Sequence, residues 1–431
     1  MTLLAAFMIN FTACGLLFAF GVYQALYGTM VSDTNTPFTG ASSAEIDLIG
    51  SLSVSLMTIG APFAVAWAKH FGPQPVVCLG GLLFGLASVL ASFGNRLWHF
   101  QLTQGLLLGI GTCCSFMPSM TVTPGWFGKQ RAMAMGLVSA GTDIGGLVWA
   151  PVVTACVERI GFRNTLRLTG ALAAVLICAA GCVLRWDPST EARMRSGSHS
   201  TSGIRKLFVI PLPPWGLVKK REFIAQALGA ASLCAAYYTP VFFMISYAQT
   251  LGYDQRDGAN FTAISNACNA IGKIAVGFVA DRVGRLNTFF LVTALSASAT
   301  LGLWLPSTVV GSSAVGLGRS LFIVYTVLYG LFASAYISLF APALVESFGV
   351  EDLPRVSGVM YMVQGVASLI GTPTAGLLVG KQHAESTPAS YMAMAMYVGA
   401  LMTAATVAVF FVRQEVVARL TPEGWRWLRN V

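Results

Sequence analysis

The chain has 431 residues, of which 10% are charged and 55% hydrophobic, with a mean hydropathy of +0.70. An average soluble domain carries about 25% charge, so this composition excludes a protein that keeps most of its surface in water. The net charge of +9 sits in short stretches between long apolar runs, a pattern that speaks for membrane topology and excludes a nucleic-acid surface.

Twelve apolar runs follow one another, near residues 3–30, 46–68, 76–94, 98–121, 131–157, 164–185, 223–248, 257–280, 287–306, 318–343, 354–380 and 388–412. A helix rises about 1.5 Å per residue and needs about 20 apolar residues to cross the bilayer. A spanning β-barrel would show alternating segments of about ten residues instead. The runs do not alternate. They predict an all-α polytopic membrane protein with twelve transmembrane helices.

The first run has no Lys or Arg before Lys69 and is too long for a cleaved signal peptide. With the N-terminus placed in the cytoplasm, eighteen of the 26 basic residues fall on the cytoplasmic side. That asymmetry predicts both termini inside. No organelle address is visible, which makes the plasma membrane the expected location. Nine cysteines lie mostly inside apolar runs, without CxxC or Cys/His spacing, and read as packing residues. Asn260 begins a glycosylation sequon so close to the membrane that occupancy is not expected.

Residues 186–222 form the one extended polar segment, rich in Ser, Pro and basic side chains. This linker divides the chain into an N-terminal six-helix bundle (1–185) and a C-terminal one (223–412), with a cytoplasmic tail at 413–431. Two related bundles joined by a cytoplasmic linker are the plan of many secondary transporters. A local repeat supports the division: GFVADRVGR (277–285) follows the eighth run, and VAWAKHFGP (65–73) follows the second. Gly284 aligns with Gly72, and Asp281 with Lys69. The glycine permits a tight turn; Asp281 suits a helix N-terminus, and Arg282 and Arg285 suit acids or carbonyls.

The turn GFVADRVGR after the second helix of a half resembles the signature of the major facilitator superfamily. Longer stretches resemble the fungal branch of its monocarboxylate transporter family. They are FGVYQALY (20–27), QGLLLGIGTCCSFMPS (104–119), WFGKQRAMAMGLVSAGTDIGG (126–146), IGFRNTLRLTG (160–170) and the region 247–287. The resemblance implies the major facilitator fold and a carrier that works by alternating access. It also implies that positions 269 and 273 of the eighth helix carry an acid and a substrate-binding arginine. Here they hold Asn269 and Lys273. Lys273 keeps the positive charge without the bidentate fork, and Asn269 takes up no proton. The family's lysine in the first helix has no counterpart. These departures argue against lactate–proton symport.

An ionisable residue deep in a bilayer costs at least about 2.5 kcal/mol, which makes it a functional candidate. Asp143 is the only acid well inside a predicted helix, and Lys273 the only base at mid-helix. Halves that rock against each other would let these two form, break and remake an interhelical pair, open to competition from an anionic substrate or a proton. A static structural pair is the competing reading. Asn269, Lys273, Tyr238, Tyr329 and Asn266 are the expected substrate-binding residues. Asp143, Lys273, Asp281, Arg282 and Arg285 are the expected coupling or gating residues.

No nucleophile or metal constellation is present, so no enzyme, metal or cofactor is expected. The expected partners are a small organic substrate, protons and lipid, around a functional monomer. The lost charges favour export of an organic acid or secondary metabolite. Proton-coupled uptake of a small monocarboxylate and a non-transporting nutrient sensor are the alternatives.

Overall fold

The computed structural model describes residues 1–31, 33, 36–196, 212–379 and 387–420. The basic stretch 197–211 of the expected linker, Lys381 and the tail beyond 420 lie outside the described residues. Among the described residues, ten segments are long and apolar enough to cross a membrane, counting Glu45–Ile59 and Ala61–Phe71 as one span bent by 47°. Two of the ten are double. Arg131–Val183 breaks at Gly161, and the last part of Val315–Val379 breaks at Gly349. Twelve helices result: α1 (Thr2–Thr29), α2 (43–71), α3 (Pro73–Ala91), α4 (Leu97–Trp126), α5 (131–160), α6 (162–183), α7 (Arg221–Thr250), α8 (Gln255–Val283), α9 (Arg285–Val310), α10 (315–348), α11 (350–379) and α12 (Pro388–Arg419). The twelve-helix architecture read from the sequence is the one observed. In lipid, a helix is the form that satisfies every backbone donor and acceptor within one segment.

The helix ends follow local chemistry. Ser42 and Glu45 make a capping box at the start of α2, and the Asp254 side chain accepts from the Asp257 N–H at the start of α8. Gly72, Gly161, Gly284 and Gly349 share a positive φ of 76–112° with ψ of 136–163°. This backbone is close to glycine-only territory. The same sharp turn therefore recurs after α2, α5, α8 and α10.

Contacts divide the chain into two compact units. Unit 1 comprises Met1–Gly128, Val138–Leu212 and Val350–Gly365; unit 2 comprises Lys129–Leu137, Pro213–Gly349 and Val366–Val431. The opening turns of α5 and α11 group with the opposite set of helices. Glycine is the physical reason. In unit 2, a Cβ on Gly277 would meet the Ala132 carbonyl oxygen at 2.6 Å, and one on Gly136 would meet the Lys273 carbonyl carbon at 3.1 Å. In unit 1, a Cβ on Gly358 would meet Pro62 Cα at 3.0 Å. Backbone touches backbone at each place.

The linker and the tail also contain helix. The polar linker contains helical turns at Pro188–Ser196 and Trp215–Val218. The expected tail from 413 starts as helix, because α12 continues to Arg419 with Val416 and Val417 buried. Arg413 donates to Asn287, and Arg419 pairs with Glu222 and donates to the Ser347 carbonyl at 3.1 Å.

Candidate transport site

Unit 2 holds all five residues singled out for substrate. On α8, Asn269 and Lys273 lie one turn apart and are 3% and 1% exposed; Asn266, one turn earlier, is half-buried. Residues three and four apart share a helix face, so the three form one polar stripe. Close packing fixes that stripe, since a Cβ on Gly272 would meet the Leu331 carbonyl carbon of α10 at 2.8 Å. Asn269 Oδ1 is buried and accepts no hydrogen bond among the described residues. An orphaned buried acceptor costs about 1–3 kcal/mol. A ligand that donates a hydrogen bond would remove that cost.

Helices α7 and α10, which both pack against α8, carry an aromatic cluster. Tyr237 and Tyr238 of α7 meet edge to face at 4.9 Å, and Tyr237 stacks on Tyr329 of α10 at 6.4 Å. The Tyr329 hydroxyl donates to the Tyr237 carbonyl at 2.7 Å, so it ties α10 to α7. Tyr238 is 7% exposed. The cluster continues through Tyr336, 5.5 Å from Tyr237, and through Tyr325 to Trp304 at 5.4 Å. Sequence reasoning missed Trp304 and Tyr336. Trp304 closes a π-helical turn at Thr300–Trp304, and its indole N–H has no partner among the described residues. A π turn widens a helix by one residue and gathers at functional sites, yet no residue type in Thr300–Trp304 announces it.

Asp143 belongs to unit 1. It is 8% exposed on α5, between Gly141 and Gly145. Cβ atoms there would meet the Phe7 carbonyl oxygen at 2.8 Å and Gly15 Cα at 2.9 Å, so α1 and α5 touch through their backbones. The two charges of the expected interhelical pair thus belong to different units.

Asp281, Arg282 and Arg285 meet at the end of α8, within unit 2. The Asp281 carboxylate accepts from the N–H groups of Ala132 at 3.0 Å and Met133 at 2.8 Å, in the first turn of α5. These are orphan donors of a helix N-terminus, where negative charge is favoured. Arg285 donates to Asp281 at 3.1 Å and pairs with Glu346 at the end of α10. Arg282 lies over the Phe278 ring, 4.0 Å from its centre. The repeat is charge-swapped in unit 1: position 69 is Lys, and Asp352 in the first turn of α11 faces Arg355 at 3.8 Å. Among the described residues no group of three or more His, Cys, Asp or Glu is arranged to hold a metal.

The model of the Major Facilitator Superfamily matches residues 3–325. The chain belongs to that superfamily. This transporter is 26% identical over 418 residues to an agnestins efflux protein of Paecilomyces divaricatus, spanning 96% of its own chain and 87% of the relative. It is 25% identical over 383 residues to monocarboxylate transporter 13 of Rattus norvegicus, with 88% and 82% covered. A fujikurins efflux protein of Gibberella fujikuroi is 24% identical over 387 residues, with 90% and 77% covered. The expected family is the one found, and the chain is a membrane transporter and not an enzyme.

Proposed function

We propose that this transporter exports a partly apolar organic acid, or a related secondary metabolite, by alternating access. The observation that carries the reading is the α8 stripe: a buried amide oxygen without a donor among the described residues, one turn from a buried lysine. Such a pair suits a ligand that brings both a carboxylate and a hydrogen-bond donor. Lysine, as a point charge, binds a carboxylate less selectively than arginine's fork does, which favours a larger ligand oriented by the tyrosines. The efflux relatives point the same way. In this reading Tyr238, Tyr329 and Asn266 shape the pocket, and Asp143 and Lys273 respond to substrate and protons. The monomer works in the plasma membrane with both termini cytoplasmic.

Proteoliposomes test it. A panel of labelled organic acids is offered with and without an inward pH gradient, to wild type and to Lys273→Met. Flux of a hydroxylated aromatic acid that falls at least about tenfold in the variant supports the reading. Equal flux in the two proteins refutes it. A second reading, proton-coupled uptake of a small monocarboxylate, draws on the likeness to monocarboxylate transporter 13. Accumulation of lactate-sized acids driven by the gradient would establish that reading instead.

A further inference from the structure

A cleft of about 160 Å³ opens beside the Asp281 contact, within unit 2. It is lined by Lys129, Gln130, Met133, Phe278, Asp281 and Arg282. A single water needs only about 10–15 Å³, so the space admits a larger polar group. Its wall is cationic. The one acid, Asp281, is engaged by Arg285 and by two backbone N–H groups, which leaves Lys129 and Arg282 to set the sign. Arg282 is held over the Phe278 face at the rim, where an attraction between cation and ring fixes the guanidinium without neutralising it. Phe278 is 42% exposed, and Val279 and Val283 beside it are 42% and 49% exposed. Exposed apolar side chains at the end of a spanning helix suit contact with acyl chains. The cleft thus stands where a polar, positively charged recess meets the hydrocarbon edge.

The geometry points to a binding site for the phosphate headgroup of an anionic phospholipid, with Lys129 and Arg282 as its cations and the Phe278–Val283 strip against its chains. Bound there, the lipid bridges the loop before α5 and the end of α8, the two segments that the Asp281 contact joins. The lipid therefore strengthens that contact. The substrate reading above plays no part in this assignment; the orientation proposed there says only that the leaflet is the cytoplasmic one, where anionic lipids concentrate.

Native mass spectrometry of the purified full-length chain tests the site, with titration by phosphatidylglycerol, by phosphatidylcholine with the same chains, and by inorganic phosphate alone. Two surface cations at roughly fivefold each predict an anionic preference that falls by about 25-fold in Lys129→Gln/Arg282→Gln. Lys129→Arg/Arg282→Lys keeps both charges and keeps the preference. Lys219→Gln/Lys220→Gln, at the start of α7, leaves it unchanged. No difference between the lipids in wild type, or an equal loss in the Lys219/Lys220 control, overturns the site. Binding of inorganic phosphate that depends on the same two residues, without a lipid preference, assigns the cleft to a soluble phosphate and overturns the lipid. Should the double Gln variant aggregate, the single Lys129→Gln and the charge-preserving pair carry the same comparison.

Discussion

Asp281→Asn removes one negative charge and leaves every heavy atom of the side chain in place. The wild-type carboxylate accepts two N–H bonds, at 3.0 and 2.8 Å, from the first turn of α5, and a third from Arg285 at 3.1 Å. A hydrogen bond to a charged group is worth about 1.5–3 kcal/mol, and a charge at a helix N-terminus adds about 0.3–1 kcal/mol. The amide retains one acceptor and can turn its NH₂ toward Arg285, which it would repel. The net loss at the α5 terminus is therefore about 2–4 kcal/mol. Each 1.4 kcal/mol is tenfold, so local opening of the first α5 turn should rise by roughly 30- to 1,000-fold. Hydrogen exchange in lipid nanodiscs reads this directly at the Ala132 and Met133 amides. The effect should stay within residues 129–137, with exchange in α1 and α3 unchanged. Exchange at these amides within about threefold of wild type would refute the reasoning, because it would show that Asp281 holds no share of the α5 terminus.

Gly272→Ala should lower thermal stability by about 1–3 kcal/mol, since its Cβ has no room against Leu331. Gly316→Ala, whose Cβ would have nothing within 4 Å, should be neutral or better in the same melt. Arg285→Gln leaves Asp281 and Glu346 half-buried without their common cation, and should cost about 3–5 kcal/mol in the same melt; removing the Glu346 carboxylate as well should recover part of that loss. Asp187 caps the turn at Pro188–Ser196. Burial pushes its carboxyl up, but hydrogen bonds from Ser189 and from Thr190 outweigh burial and hold it below the usual range. A depressed acid stabilises above its unfolded pKa of about 3.9 and loses that contribution as pH falls through the folded value. Protease access to 188–196 should therefore rise only below about pH 4 in wild type, and already at neutral pH in Asp187→Ala.

Much of this architecture was legible because lipid imposes a simple rule. Any run of about 20 apolar residues must close its own backbone hydrogen bonds. The turn glycines at 72 and 284 could be read from the repeat, whereas Gly161 and Gly349, with the same backbone, lie outside it. Asn269 and Lys273 stood out through the family's helix 8 register. Their surroundings did not. Trp304 and Tyr336 look like any aromatic in an apolar run, and only packing gathers them around Tyr237.

Composition and period thus determined the number of helices, their approximate bounds and the location of the ionisable residues along them. Those properties are local, and each helix satisfies them alone. The tertiary structure decided which backbones touch. The opening of α5 joins unit 2 because Gly136 and Gly277 remove the side chains that would hold it away, and because Asp281 finds two N–H groups there. Helix ends offer the same orphan donors wherever they occur. A sequence names the donors, and only the assembled fold selects which carboxylate reaches them.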